Sequence, residues 1–245
     1  MIRHITSSAL DRKYLALRSV DSAPITVDLS KMVVKKPWGY EHLLTGTPLV
    51  EIWHLFLDKN HSTSMHCHPN KKTVLIVLSG KAIFSHLNGS LELEPLDTVI
   101  IDSGVFHSTQ AISKNGLKLI EVETPPMKSD LIRLEDKYGR VDIGYEGSEK
   151  MKLVNTSYVR FEDHSNCDIK NIGNCNINIS FLEHKKDINK KNLKNSDIGV
   201  VLSGFIKSNT GKITHNTGDV ISFKDLRKNK FNFQNVSLLS ISRKK

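Results

Sequence analysis

The chain has 245 residues, 38% hydrophobic, 25% charged and 7% aromatic, with a formal net charge of +9. That length supports one large core or two modest ones at the ~100–150 residues typical of a domain. No run approaches the ~18 uninterrupted apolar residues a spanning helix needs, which argues against a helical membrane protein and makes a cytoplasmic, untargeted protein the expectation. The charge lies largely in Lys185, Lys186, Lys190, Lys191 and Lys194 and in Arg227, Lys228 and Lys230. These are interleaved with asparagine and lack the aromatic platforms of single-strand binders, so a solvated lysine-rich surface is expected and a nucleic-acid partner is not.

In chain order, Ser8–Val20 carries Leu10, Tyr14 and Leu17 at helical spacing behind a serine cap, which predicts one short N-terminal helix. From Val50 the pattern changes to short Val/Ile/Leu runs divided by turn residues: Val50–Leu57, Val74–Leu78, Thr98–Ile101 and Leu117–Val122. Those runs predict successive strands, with Gly80, Gly89, Gly104 and Gly116 at the corners. Ile198–Gly204 (IGVVLSG) then repeats Val74–Gly80 (VLIVLSG), and Thr217–Ser222 (TGDVIS) repeats Leu96–Ile101 (LDTVII). The two matches share an offset of about 124 residues and predict tandem related barrels. The expected division is an extension over 1–34, a first barrel over 35–143, a link through Val141–Lys150, and a second barrel over 151–245. Cys67, Cys167 and Cys175 form no CxxC pair and are expected to be free thiols.

His66 and His68 stand at i and i+2, so on a strand both imidazoles project to one face while Cys67 points away. Another histidine, His107, follows the turn Ser103-Gly104, itself behind an apolar strand. In a closed barrel all three can reach one lumen, which makes them candidate ligands for one divalent transition metal: zinc, iron, manganese or nickel.

His66-x-His68, Gly80 twelve residues later, and Asp102-Ser103-Gly104-Val105-Phe106-His107 together resemble the two motifs of the cupin superfamily. The resemblance implies an all-β fold of two tandem cupin (jelly-roll β-barrel) domains. Thr73 stands where the family's glutamate ligand would be, leaving a three-histidine site with up to three open positions. Carried to the second barrel, the ligand positions fall near Lys190, Asn192 and Asn229, none a natural substitute, so that barrel is expected to be degenerate and metal-free, serving as a cover or as a homodimer contact.

Three further runs are similar to mannose-6-phosphate isomerase-like cupins: Lys36-Pro37-Trp38-Gly39-Tyr40-Glu41, His68-Pro69-Asn70-Lys71, and Lys128–Arg140 (KSDLIRLEDKYGR). The resemblance implies a small anionic carbohydrate as partner, either a sugar phosphate or a nucleotide sugar, and isomerase or epimerase chemistry in surface-glycan synthesis. Lys71, Lys72 and Arg133 are the candidate phosphate contacts, and Trp38 and Tyr40 the candidate sugar-stacking rings. Glu121 and Glu123 share one strand face and, with Lys71, are the candidate catalytic groups. The rival readings are a three-histidine iron(II) dioxygenase and a non-catalytic sugar- or partner-binding protein.

Overall fold

The computed structural model describes the chain except residues 19–24, 26, 142, 162–167, 185–186, 189–193 and 245. Helix α1 spans Ala9–Leu15, where the Ser8 side chain accepts from the Asp11 N–H and Asp11 returns a bond to the Ser8 N–H. This reciprocal box fixes the predicted start. The end comes earlier than the spacing predicts, and residues 19–20 of that stretch lie outside the described residues.

The first sheet has eight strands, ordered β1 (Ile2–Ile5), β9 (Thr98–Ile101), β6 (Lys72–Ser79), β11 (Leu117–Thr124), β4 (Val50–Leu57), β3 (Gly39–Thr47), β2 (Met32–Lys36) and β13 (Met151–Leu153). A five-stranded sheet faces it, ordered β12 (Ile132–Glu135), β5 (Met65–Cys67), β10 (His107–Ala111), β7 (Ala82–His86) and β8 (Gly89–Leu93). Between them lies a core that includes Trp53, Leu55, Leu75, Val77, Phe84 and Leu119. All the predicted strand runs are present, with β6 starting two residues earlier and ending one later and β11 ending two residues later.

The third sheet carries β14 (Lys170–Ile172), β15 (Cys175–Leu182), β19 (Phe231–Arg243), β16 (Ile198–Ser208) and β17 (Ile213–His215), with β18 (Val220–Ser222) pairing β16. Its order β14-β15-β19-β16-β18 reproduces β3-β4-β11-β6-β9 of the first sheet. The repeat extends to single hydrogen bonds. Leu96 N–H donates to the Val77 carbonyl at 2.8 Å and Val77 N–H to the Asp97 carbonyl at 3.1 Å, while Gly218 and Asp219 make the same pair with Val201 at 2.7 and 2.9 Å. Gly80 and Gly204 also match: both have positive φ, and a Cβ on either would lie 2.4 Å from the Gly116 carbonyl oxygen or 2.3 Å from that of Gln234.

The molecule is therefore all-β with a tandem, degenerate second unit. Where the first unit has the turn leading to His107, the second has helix α2 (Phe223–Lys228), capped by Ser222 and ended by Asn229. Lys190 and Asn192 lie outside the described residues. The two equivalent sheets pack face to face: Leu44, Ile52, Ile76 and Val122 of the first meet Ile177, Ile179, Val200 and Leu239 of the third in one apolar layer, each contributing about 1.5–3 kcal/mol on burial. Cys67 and Cys175 are buried free thiols, and Cys167 lies outside the described residues.

Strand β1 of the supposed extension pairs in parallel with β9, and β13, expected in the second barrel, pairs with β2. Edge strands offer unpaired N–H and C=O groups, which recruit whichever extended segment is near. Among the described residues, no helix is long and apolar enough to cross a membrane.

Candidate metal centre

His66 lies on β5 directly opposite His107 on β10, and directly opposed residues on antiparallel strands bring their side chains together. His68 follows at i+2. The ring centroids stand 4.5 Å (His66–His107), 5.0 Å (His66–His68) and 5.6 Å (His68–His107) apart, and one ring nitrogen from each lies within 4.8 Å of the others. Cys67, on the opposite face, packs against Phe106 and Ile132.

Each Nδ1 meets a backbone carbonyl: His66 to Ser64 at 2.8 Å, His68 to Asp130 at 2.6 Å and His107 to Val105 at 3.0 Å. A carbonyl only accepts, so each Nδ1 carries the proton and each Nε2 presents a lone pair. Burial pushes all three imidazoles well below the ordinary histidine range, His107 to about 4, so they stand neutral, as ligands must. The His68 Nε2 is buried with no hydrogen-bond partner. This donor set fits one divalent transition metal. Among the described residues the group holds no carboxylate, and Thr73 is buried with its hydroxyl unpartnered.

Two aspartates hold the ligand segments, and sequence reasoning missed both. Asp130 accepts from the Asn70 and Lys71 N–H groups at 2.9 Å each, while its own carbonyl orients His68. Asp11 of α1 accepts from the Phe106 N–H at 2.9 Å and so fixes the turn before His107. The capping-box spacing Ser8-x-x-Asp11 and the position of Asp130 in the run Lys128–Arg140 were the available signals.

Beside the histidines is a cavity of about 460 Å³, counting the part open to solvent. Glu121 and Glu123 point into it, buried, rather than onto the outer face of the barrel. Inward positions on β11, β4 and β3 are the odd-numbered ones, as Leu119, Trp53 and Leu43 show. Lys71 also points inward and is 1% exposed, with Nζ 2.9 Å from Glu123 Oε1. Trp38 and Arg133 line the cavity as well.

Lys72 and Tyr40 do not. Period-two alternation turns both to the other face of the first sheet, where Lys72 pairs with Asp219 of the second unit and Tyr40 packs against His42, His54, Phe56 and Tyr158.

A ladder of alternating charge runs from the cavity floor to its mouth. Glu123 bridges Lys71 and Lys128 at 2.9 and 2.8 Å; Glu41 takes Lys128 at 3.4 Å and Lys36 at 3.3 Å; Glu146 pairs with Lys36 and with Arg140 at 2.6 Å; and Arg140 reaches Asp136 at 2.7 Å. Lys128 Nζ also lies 4.0 Å from the centre of the Trp53 ring. Burial alone would raise Glu41, but Lys128, Lys36 and the Tyr145 hydroxyl hold it down at about 2. Burial would lower Lys128, but Glu123, Glu41 and Glu121 raise it. Glu121 stands apart: burial lifts its carboxyl above the usual range, against Lys128 at 3.4 Å.

The expected link contributes Tyr145 and Glu146 to the lining of this cavity. Arg133 donates to the carbonyls of Ile143 and Gly144, the Tyr145 hydroxyl donates to Glu41, and Glu146 joins the ladder. Lys128, Glu41 and Lys36 belong to the motifs quoted from the sequence. Tyr145 and Glu146 carried no signal there.

Neither a protein-family profile nor a curated protein matches the chain. Among solved structures it is similar to KdgF from Halomonas sp. (16% identity, 38% of this chain and 84% of that one, TM-score 0.35). It is similar also to the capsular polysaccharide assembling protein CapF from Staphylococcus aureus (19%, 54% and 41%, TM-score 0.39). A third likeness is to a cupin-like protein from Thermotoga maritima (20%, 40% and 76%, TM-score 0.36).

Proposed function

We propose that the chain is a metal-dependent isomerase or epimerase acting on a carbohydrate that carries a hydroxyl beside a carbonyl, as sugar phosphates and nucleotide sugars do in open-chain or keto form. The observation that carries this reading is a cluster of three neutral imidazoles, lone pairs inward, two of which, His66 and His68, line one cavity with the buried Glu121. A divalent metal on His66, His68 and His107 would supply Lewis acidity toward the carbonyl oxygen. Glu121 is the proton carrier: its carboxylate takes the proton from the hydroxyl-bearing carbon next to the carbonyl and returns it either to the former carbonyl carbon, as the hydroxyl proton passes to the carbonyl oxygen, or to the same carbon on its other face after the planar intermediate has turned. Burial favours the uncharged form of Glu121 and so favours proton uptake. Lys128, 3.4 Å away, steadies the carboxylate before transfer. Trp38 and Leu55 give the cavity an apolar wall for the C–H face of a sugar.

The test is deuterium exchange from solvent into aldoses, ketoses, their phosphates and nucleotide sugars, followed by proton NMR on metal-loaded protein. Exchange should depend on the metal and fall about 10²–10⁴-fold in Glu121→Gln with metal content unchanged. No exchange with any of these classes, or exchange indifferent to Glu121→Gln, would sink the reading. Among the described residues the histidine group holds no carboxylate, which favours one rival, an iron(II) dioxygenase, which oxygen uptake by iron-loaded protein would reveal.

A further inference from the structure

We infer that the cavity takes its substrate by an uncharged, polyhydroxylated part, and that Glu123 and Glu41 exclude a phosphate group from it. This rests on the carbohydrate reading above and narrows it: any phosphate of the substrate stays outside the cavity.

The charge around the cavity carries the argument. Among the described residues five cations line it: Lys36, Lys71, Lys128, Arg133 and Arg140. Each is already within ion-pair distance of a carboxylate. Lys71, the residue that the resemblance set beside a sugar phosphate, is 1% exposed and sits against Glu123, itself 1% exposed. Lys128 lies among three carboxylates, with Glu123 at 2.8 Å and Glu41 and Glu121 at 3.4 Å each. Arg133 spends its Nη1 on the carbonyls of Ile143 and Gly144. Lys72 faces away, paired with Asp219. A phosphate dianion seated here would have to break a buried pair and strand its carboxylate, while adding negative charge beside Glu41, Glu121, Glu123 and Glu146. Hydroxyl groups face no such penalty, because they both donate to carboxylates and accept from ammonium groups without displacing either.

Two titrations on the full chain test this. In the first, inorganic phosphate is titrated by calorimetry into protein stripped of metal by chelator, so that only the cations can hold it. Wild type should show no saturable binding below about 10 mM, and Glu123→Gln or Glu41→Gln, each of which uncovers a cation, should gain at least about tenfold. In the second, metal-loaded protein is titrated with fructose and mannose and with their 6-phosphates. The free sugars should bind, and phosphorylation should leave affinity unchanged or weaken it.

Saturable phosphate binding by wild type that Lys71→Gln weakens about tenfold would overturn the inference. So would 6-phosphates binding about tenfold tighter than the free sugars, the failure of both sugars to bind, or no gain in either glutamine variant. Because wild type supplies the deciding comparison, a variant that fails to fold does not rescue the idea. Sugar binding without deuterium exchange would remove the isomerase reading and leave this one standing.

Discussion

The three imidazoles of the candidate metal centre are each held by one hydrogen bond from Nδ1 to a backbone carbonyl, so what these bonds supply is geometric before it is electronic. His107→Ala should lower zinc affinity by well over tenfold, and metal analysis of untagged protein should fall from about one equivalent to a small fraction of that. A different pair, His42 and His54, lies on the outer face of the first sheet with ring centroids 5.0 Å apart. His54 is buried with neither nitrogen hydrogen-bonded, and burial lowers it to about 3. Its unfolded value is near 6.5, so between pH 6.5 and 3 the unfolded chain binds the extra proton. The cost is absent above 6.5 and grows as pH falls, at up to about 1.4 kcal/mol per pH unit. His54→Phe should flatten that slope, read as the difference in urea midpoint between pH 5 and pH 7; an unchanged slope would refute the assignment.

At the scale of elements, ligand strands are positioned by segments far away in the chain. Helix α1 reaches the His107 turn through Asp11, and Asp130 ties the turn after His68. Asp130→Ala should therefore cut metal affinity about 10–100-fold while leaving the three ligands in place, measurable by competition with a chromophoric chelator. The strand runs and corners were legible beforehand because pleating and positive-φ turns are local properties. Gly80→Ala and Gly204→Ala should each destabilise by at least about 1–3 kcal/mol in denaturant titrations, since both sit at φ above +70° with a carbonyl oxygen where the Cβ would go. A near-zero effect at Gly204 alone would show that the repeat does not extend to the second unit's corner. What local pattern hid was direction. Lys71 and Lys72 are adjacent, and only the register of β6 decides that the first faces the cavity and the second faces Asp219.

For the whole molecule, the shared apolar layer between the first and third sheets makes the two units one cooperative body. A fragment of residues 1–153 would expose Leu44, Ile52, Ile76 and Ile120 on an open sheet face, so it should aggregate, while the full chain unfolds in a single transition. A monomeric, metal-binding fragment by light scattering would contradict this. The sequence by itself determined the strands, the tandem repeat and the three histidines, because a period of two and a glycine corner are written in neighbouring residues. Only the tertiary structure decided what surrounds the histidines: the neutralising ladder from Lys71 to Asp136, the folding of residues 143–146 over the cavity, and the reach of Asp11 to Phe106. Those pairings join residues up to 110 positions apart. They follow from how strands register and sheets face each other, which no local pattern encodes.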